Sequence, residues 1–569
     1  LPKEPGACNV SDLTISQARC IIVRSSDLVN NTGAKETAMS SKNNGEFEMT
    51  RRGFLGATTG TLVASGILAP WKLFASGENV QGSIKADLTA HATPVDPMIF
   101  GQFIEHFHRQ IYGGIFDPGS PLADKRGFRK DAIEALRELR IPIVRWPGGC
   151  FASAYHWKKG VGPERTPAYD KAWKVEDPNT FGTDEFVLWC REIGAEPYIC
   201  TNAGSGTPEE MSDWVEYCNL VEEGEYSRLR AANGFPDSHN VRYWSIGNEN
   251  YGDWEVGAKT VDEWGYFVRE SAKMMRFADP TIKLFAAATA DRDWTLPLLQ
   301  RAGRYLDYIS IHGYWDPLWH VNNVSPYLSC IMRSGQPEQQ ILDTIDIIRE
   351  AGLADRVKIA FDEWNLRAWH HPGQVPPDKS LNSKRDENDR NDVYTMADAC
   401  FSGAFLNACI RQAEHVTMAN MAPVVNTRGP LFVHPEGIVK RTTFHVMKMF
   451  RDLIESHVVP ADLESAMLQH EGESIATLDA TVTRNENGTA VAIAVVNRHP
   501  DASITCQLAL AGLPMGGRAT VTTLAGDSAD AFNDIDTPDR VTPETFRLAS
   551  LREPVALPPH SVTIINVGG

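Results

Sequence analysis

The stretch Val241-Arg-Tyr-Trp-Ser-Ile-Gly-Asn-Glu-Asn-Tyr-Gly-Asp-Trp-Glu255 begins as a buried strand and ends as a polar, aromatic loop. Tyr243, Trp244 and Ile246 suit a pleated, half-buried surface. Gly247 lets the backbone approach a neighbour closely. Asn248 and Glu249 then fall together at the strand's end. A carboxyl held there beside an amide and aromatic rings is suited to donate a proton from a raised pKa. Taken alone, the same residues read equally well as a strand cap and a solvated acid.

A second stretch, Val357-Lys-Ile-Ala-Phe-Asp-Glu-Trp-Asn365, repeats the design: an apolar strand, then Asp362 and Glu363 at its end. Two acidic strand ends so far apart in the chain become neighbours in a barrel of parallel strands, where every C-terminal end opens on one face. Paired carboxylates flanking a bond are the working parts of a glycosidase. Glu249 and Glu363 are therefore the candidate pair.

Outward from these two strands the pattern alternates eight times. Strands are expected at 98–105, 141–147, 196–202, 241–248, 282–289, 308–314, 358–364 and 415–425. Helices are expected at 129–140, 183–193, 208–222, 261–277, 295–304, 337–351 and 392–411, with one more at 442–455. Eight strands with return helices predict an α/β fold, a (β/α)8 TIM barrel over 96–455. Its strand ends supply further site candidates: Glu105, Arg145, Cys150, Asn248, His312 and Tyr314. Two βα loops are long. The first, 151–181, carries Tyr155, His156, Trp157 and Trp173. The second, 366–390, carries Trp369, His370 and His371. Such loops above a barrel mouth build clefts. Adjacent His370 and His371 point oppositely on an extended chain, so no metal site and no cofactor are expected.

Beyond Glu455 the pattern becomes short, alternating and β-branched, at 474–484, 490–497, 502–510, 518–524 and 561–567. This predicts a C-terminal β-sandwich over 456–569, structural rather than sugar-binding, joined by an early strand within 80–95. Residues 1–48 lack periodicity and read as disordered, or as an extension upstream of the true start at Met49. Arg51-Arg52 before an uncharged run, with small residues near Ala75, resembles a twin-arginine export signal over 49–76. The expectation is a periplasmic or secreted protein with no membrane span once the signal is cleaved. The ten cysteines show neither disulfide nor metal spacing. A net charge of −18 argues against nucleic-acid binding.

The stretches Gly101-Gln-Phe-Ile-Glu-His106, Arg145-Trp-Pro-Gly-Gly149, Trp157-Lys-Lys-Gly-Val-Gly-Pro163, Trp244-Ser-Ile-Gly-Asn-Glu249, Ile309-Ser-Ile-His312 and Phe361-Asp-Glu-Trp-Asn365 together resemble the α-L-arabinofuranosidases of glycoside hydrolase family 51, over roughly residues 83–569. The resemblance implies retaining hydrolysis of terminal α-L-arabinofuranosyl residues from arabinan, arabinoxylan or their oligosaccharides. Glu249 would be the acid/base and Glu363 the nucleophile. Glu105, Arg145 and Asn248 would hold the sugar or orient the carboxylates, with Arg145 keeping Glu363 charged and Tyr314 holding it in place. The chain departs from the family pattern at Cys150, at Arg367 (with Trp369 nearby) and at Arg441, which leaves the sugar contacts and leaving-group preference open. The resemblance also implies a homo-oligomer, a hexamer. A β-xylosidase or endo-glucanase on the same site, or a non-catalytic carbohydrate-binding barrel, are the alternatives.

Overall fold

The computed structural model describes residues 80–318, 324–369, 389–514 and 516–568. The proposed export signal, the extension before it, His370 and His371 lie outside the described residues, as does the side chain of Trp369. Eight parallel strands close into a barrel: β1 (Gly101–Phe103), β2 (Ile143–Trp146), β3 (Glu196–Thr201), β4 (Tyr243–Ile246), β5 (Lys283–Ala287), β6 (Tyr308–Leu318), β7 (Lys358–Trp369) and β8 (Val416–Met421). Each pairs with its sequence neighbours, and β8 closes on β1 through Asn420 and Gly101.

All eight expected barrel strands are present, and their bounds differ for local reasons. The segment ahead of β1 is a 3-10 turn, Pro97–Phe100, rather than strand. Asp96 accepts a hydrogen bond from the Met98 N–H at 2.9 Å, and proline opens the turn, its missing N–H costing nothing there. Strand β8 stops at Met421 because Ala422-Pro423 follows, and proline cannot donate to a ladder. Strands β6 and β7 instead overrun the barrel and stay paired as far as Leu318 and Trp369. Two helices, Gly224–Ala232 and the short Tyr327–Met332, fall outside the expected ones.

A layer of large side chains plugs the barrel below its C-terminal rim. Ile143, Tyr198, Phe285, Ala360 and Met418 are packed with Tyr243 and Tyr308, all from different strands. The Phe285 and Tyr308 rings stack at 4.2 Å and those of Tyr198 and Phe285 lie at 4.6 Å. The barrel is thus a filled core whose upper surface is the floor of the site.

The C-terminal strands form two facing sheets. One contains Ala461–Glu464, Val80–Asp87, Ile504–Ala511 and Val555–Leu557. The other is seven-stranded, with Leu478–Arg484, Val491–Asn497, Ser561–Val567 and Ala519–Ala525 at its centre. The early strand Val80–Asp87 pairs in parallel with Ile504–Ala511. The strand expected at 474–484 is broken at Thr477, whose N–H turns to the Ala466 carbonyl, and Glu473–Ala476 forms a separate hairpin with Met467–His470. Val491, Ile493 and Val495 face the sandwich core, while Ala492, Ala494 and Val496 face the barrel side. There they meet the helix Met396–Arg411, in which every residue from Met396 to Ile410 is buried. Such a helix is largely apolar because it has no solvent face, and its Asp398 and Asn407 are met by Arg367 and Asp479. Among the described residues, no helix is long and apolar enough to cross a membrane.

Candidate active site

Five strand ends build the site. Strand β4 ends at Ile246, and Gly247 turns the chain with φ +71°. A Cβ there would lie 2.2 Å from the Asn250 side-chain oxygen and 2.7 Å from the Trp264 ring, so only glycine fits. This turn carries Asn248 and Glu249 to the rim. After β2, Gly148 crosses directly over Glu105, where a Cβ would sit 2.3 Å from its Cγ. Glu105 follows β1 and accepts hydrogen bonds from the Phe151 N–H at 3.0 Å and the Trp173 indole at 2.9 Å.

Irregularities in β6 and β7 aim the remaining groups. The register shifts between Ser310 and His312 on β6, and between Phe361 and Trp364 on β7. Adjacent side chains on a regular strand diverge, but a bulge re-aims them. Asp362 and Glu363 consequently both reach Arg145. Its Nη1 lies 2.5 Å from Glu363 Oε1 and its Nε 3.3 Å from Asp362 Oδ2. Arg145 Nη2 donates to Asn248 Oδ1 at 2.8 Å. Tyr314 donates to the other Glu363 oxygen at 2.7 Å. Asp362 is held by Ser310 at 2.5 Å and by Tyr198, from the barrel plug, at 2.7 Å.

His312 sits among three carboxylates. Its Nδ1 lies 2.9 Å from Glu249 and 3.7 Å from Glu363, and its Nε2 3.4 Å from Asp362. Burial works against its charge, but Glu363, Asp362 and Glu249 outweigh it and push the imidazole up to about 10. This corrects the expectation that Glu249 holds a raised pKa. Burial does act to raise it, but the hydrogen bond and charge of His312, with the Trp254 indole at 2.7 Å, bring Glu249 below the ordinary carboxyl value. In the free site the proton of the Glu249–His312 pair rests on the histidine. Glu105 is the carboxyl with the large upward shift, to about 8, through burial and then the charge of Glu363.

Cys150 opens a short 3-10 turn after β2, buried against Glu255 and Glu249. Two sets of donor atoms, Glu249 with His312 and Glu363, and Cys150 with Glu249 and Glu255, each lie within 4.8 Å of one another.

Arg441 and Arg367 are buried parts of the scaffold rather than sugar contacts. Arg441 bonds Asp389 at 2.9 Å, Asn391 at 2.8 Å and the carbonyls of Thr427 and Gly429. Arg367 makes a two-pronged pair with Asp398 at 2.8 and 2.9 Å and reaches Asp316 at 2.6 Å. Of the long-loop aromatics, Trp157 is buried against Trp214, and Trp173 meets the site carboxyl of Glu105. Sequence reasoning missed Arg428, whose guanidinium lies 4.5 Å over the Tyr314 ring and donates to its hydroxyl at 3.0 Å. It also missed Tyr251 and Trp254, which bond Glu249. Both stand in the quoted Val241–Glu255 stretch, where tight spacing after Glu249 was the available signal.

A closed parallel barrel with paired carboxylates at its C-terminal rim, one ion-paired to arginine and the other hydrogen-bonded to histidine, defines a barrel glycoside hydrolase. Two family descriptions match the chain: the α-L-arabinofuranosidase 1 domain over residues 135–330 and the α-L-arabinofuranosidase C-terminal domain over residues 362–561. A probable α-L-arabinofuranosidase C of Aspergillus clavatus is 36% identical over 513 residues, covering 85% of this chain and 97% of that protein. An intracellular exo-α-(1->5)-L-arabinofuranosidase of Halalkalibacterium halodurans is 33% identical, covering 73% of this chain and 84% of that protein. The crystal structure of the Thermotoga maritima α-L-arabinofuranosidase in complex with arabinose superposes with a TM-score of 0.77 at 33% identity, covering 86% of this chain and all of that one. The chain belongs to the α-L-arabinofuranosidases of glycoside hydrolase family 51.

Proposed function

We propose that this protein removes terminal, non-reducing α-L-arabinofuranosyl residues from arabinan, arabinoxylan or their oligosaccharides, with retention of configuration. The observation that carries the reading is the approach of Glu249 and Glu363 oxygens to within 4.8 Å across one rim. Retaining enzymes hold their carboxyls at about 5–5.5 Å, whereas inverting ones leave about 6.5–9.5 Å for a water.

In this reading Glu363 attacks the anomeric carbon. The glycosidic C–O bond breaks as the Glu363 ester forms, and the departing oxygen takes the proton of the Glu249–His312 pair, which passes from His312 through Glu249. Water then attacks the ester, returns its proton to the Glu249–His312 pair, and frees Glu363. Arg145 and Tyr314 occupy both oxygens of the nucleophile and fix its aim.

The test is hydrolysis of 4-nitrophenyl α-L-arabinofuranoside beside the β-D-xylopyranoside and β-D-glucopyranoside, with NMR assignment of the first anomer released. Selective release from the arabinofuranoside with retention is expected. Preference for the xyloside or glucoside, or an inverted product, would overturn the reading. The Glu249→Ala variant is expected to lose about 100-fold or more on alkyl arabinofuranosides, and far less on activated aryl ones. Equal loss on both would remove Glu249 from the acid role.

We also propose export by the twin-arginine route. The eight described cysteines are buried free thiols, which suits a protein folded before it leaves the cytosol. Retention of the precursor in a strain lacking that translocase is the expected result.

A further inference from the structure

The loop after β4 carries a third carboxyl, Glu255, that the steps above do not use. It is buried, and its Oε2 accepts a hydrogen bond from Asn248 Nδ2 at 3.3 Å. Ser153 and Cys150 face the same carboxyl, and donor atoms of Cys150, Glu249 and Glu255 lie within 4.8 Å of one another. Asn248 turns its other end to Arg145, whose Nη2 donates to Oδ1 at 2.8 Å, and Arg145 Nη1 holds Glu363 at 2.5 Å. An unbroken chain of polar contacts thus runs from Glu255 to Glu363.

The two ends of an amide have the same shape, so its neighbours decide which way it faces. Arg145 offers only donors. A group offering only acceptors at the opposite end locks one orientation, and an ionised carboxylate is such a group. We propose that Glu255 is a positioning residue for hydrolysis: it fixes the Asn248 amide so that Arg145, and through it Glu363, keep their aim. The proposal rests on the function proposed above.

The groups facing Glu255 are Glu249 and Tyr251 from its own loop, and Cys150 and Ser153 from the turn after β2. Burial, opposed by the Ser153 contact and reinforced by the Glu249 charge, brings its carboxyl to about 7. Protonation gives Glu255 a hydroxyl and loosens the lock.

The experiment compares Glu255→Gln and Glu255→Leu with the parent on activated and unactivated arabinofuranosides across pH. Glu255→Leu is expected to lose about 100-fold in kcat, equally for both leaving groups, because it acts on the nucleophile side. Glu255→Gln keeps an acceptor and should lose less than about tenfold. The parent is expected to show a rise in kcat/KM through about pH 7, and Glu255→Gln should lack it. The proposal falls if Glu255→Leu stays within threefold of the parent, if its loss follows leaving-group strength as in Glu249→Ala, or if Glu255→Gln falls as far as Glu255→Leu. Should Glu255→Leu not fold, persistence of the pH 7 rise in Glu255→Gln overturns it. An inactive parent would instead overturn the proposed function.

Discussion

Two buried ion networks hang from the same pair of strands, and they are built to opposite ends. Around Arg367, the guanidinium groups of Arg367 and Arg333 meet the carboxylates of Asp316 and Asp398, and Ser325 also bonds Asp316. Charges balance and the carboxylates are tied down. Around Arg145, one guanidinium and one imidazolium face Asp362, Glu249 and Glu363, with Glu105 and Glu255 crowded behind. Arg428 stands behind Tyr314 in the same cluster, and the network leaves Glu249 partly open to solvent, with 15% of its side chain exposed. A closed network holds strands together; one that is open at a carboxylate has work left for a substrate to complete.

Substitution separates the two most sharply. Glu363→Ala is expected to lower kcat by about 10,000-fold or more, while the melting temperature stays within a few degrees. Loss of fold together with activity would make the Arg145 network structural as well. Arg367→Met should do the reverse. It leaves Asp398 buried without its cation and Asp316 with Arg333 alone, and costs about 3–5 kcal/mol in urea unfolding, with kcat per folded molecule unchanged. A normal unfolding midpoint would erase the distinction.

Acidity gives a smaller contrast of opposite sign. Asp316 is held below its ordinary value, burial being overcome by Ser325 and Arg367, so its contribution is present above the unfolded value of 3.8 and lost as pH falls through the folded one. Glu105 and His312 are raised. Their contributions are full below the unfolded values of 4.5 and 6.5 and are lost as pH rises through about 8 and about 10. Melting temperature followed from pH 5 to 10 should therefore decline, and Glu105→Gln should flatten the part below about pH 8. A decline unaltered in that variant would assign it to other groups.

The barrel was legible because its strands are apolar runs with polar ends, a pattern set by burial alone. Glu249 and Glu363 were legible for the same reason: an acid at the end of a buried strand has few places to point. The arginines were not. Arg145 and Arg441 carry the same side chain at comparable strand or helix ends, yet one meets the paired site carboxylates and the other Asp389, Asn391 and backbone carbonyls. Which happens depends on loops brought together from distant sequence. The proton on His312 was hidden likewise, since it follows from three carboxylates converging on one ring. Arg428 reaches Tyr314 from the far side of β8, and no spacing within its own loop announces that contact.

The helix Met396–Arg411 has a consequence for how the molecule comes apart. Its Gly403 leaves room for Val496 and Val562 of the C-terminal sheet, where an added Cβ would sit 2.9 Å from a Val496 methyl. The same helix packs its Phe405 against Trp364 of β7, the ring centroids 3.8 Å apart. Barrel and sandwich thus share one apolar layer and belong to one compact unit. The sandwich is therefore not a detachable appendage. A truncated enzyme ending near residue 455 would expose the back of that helix, and the two parts should melt in a single cooperative transition.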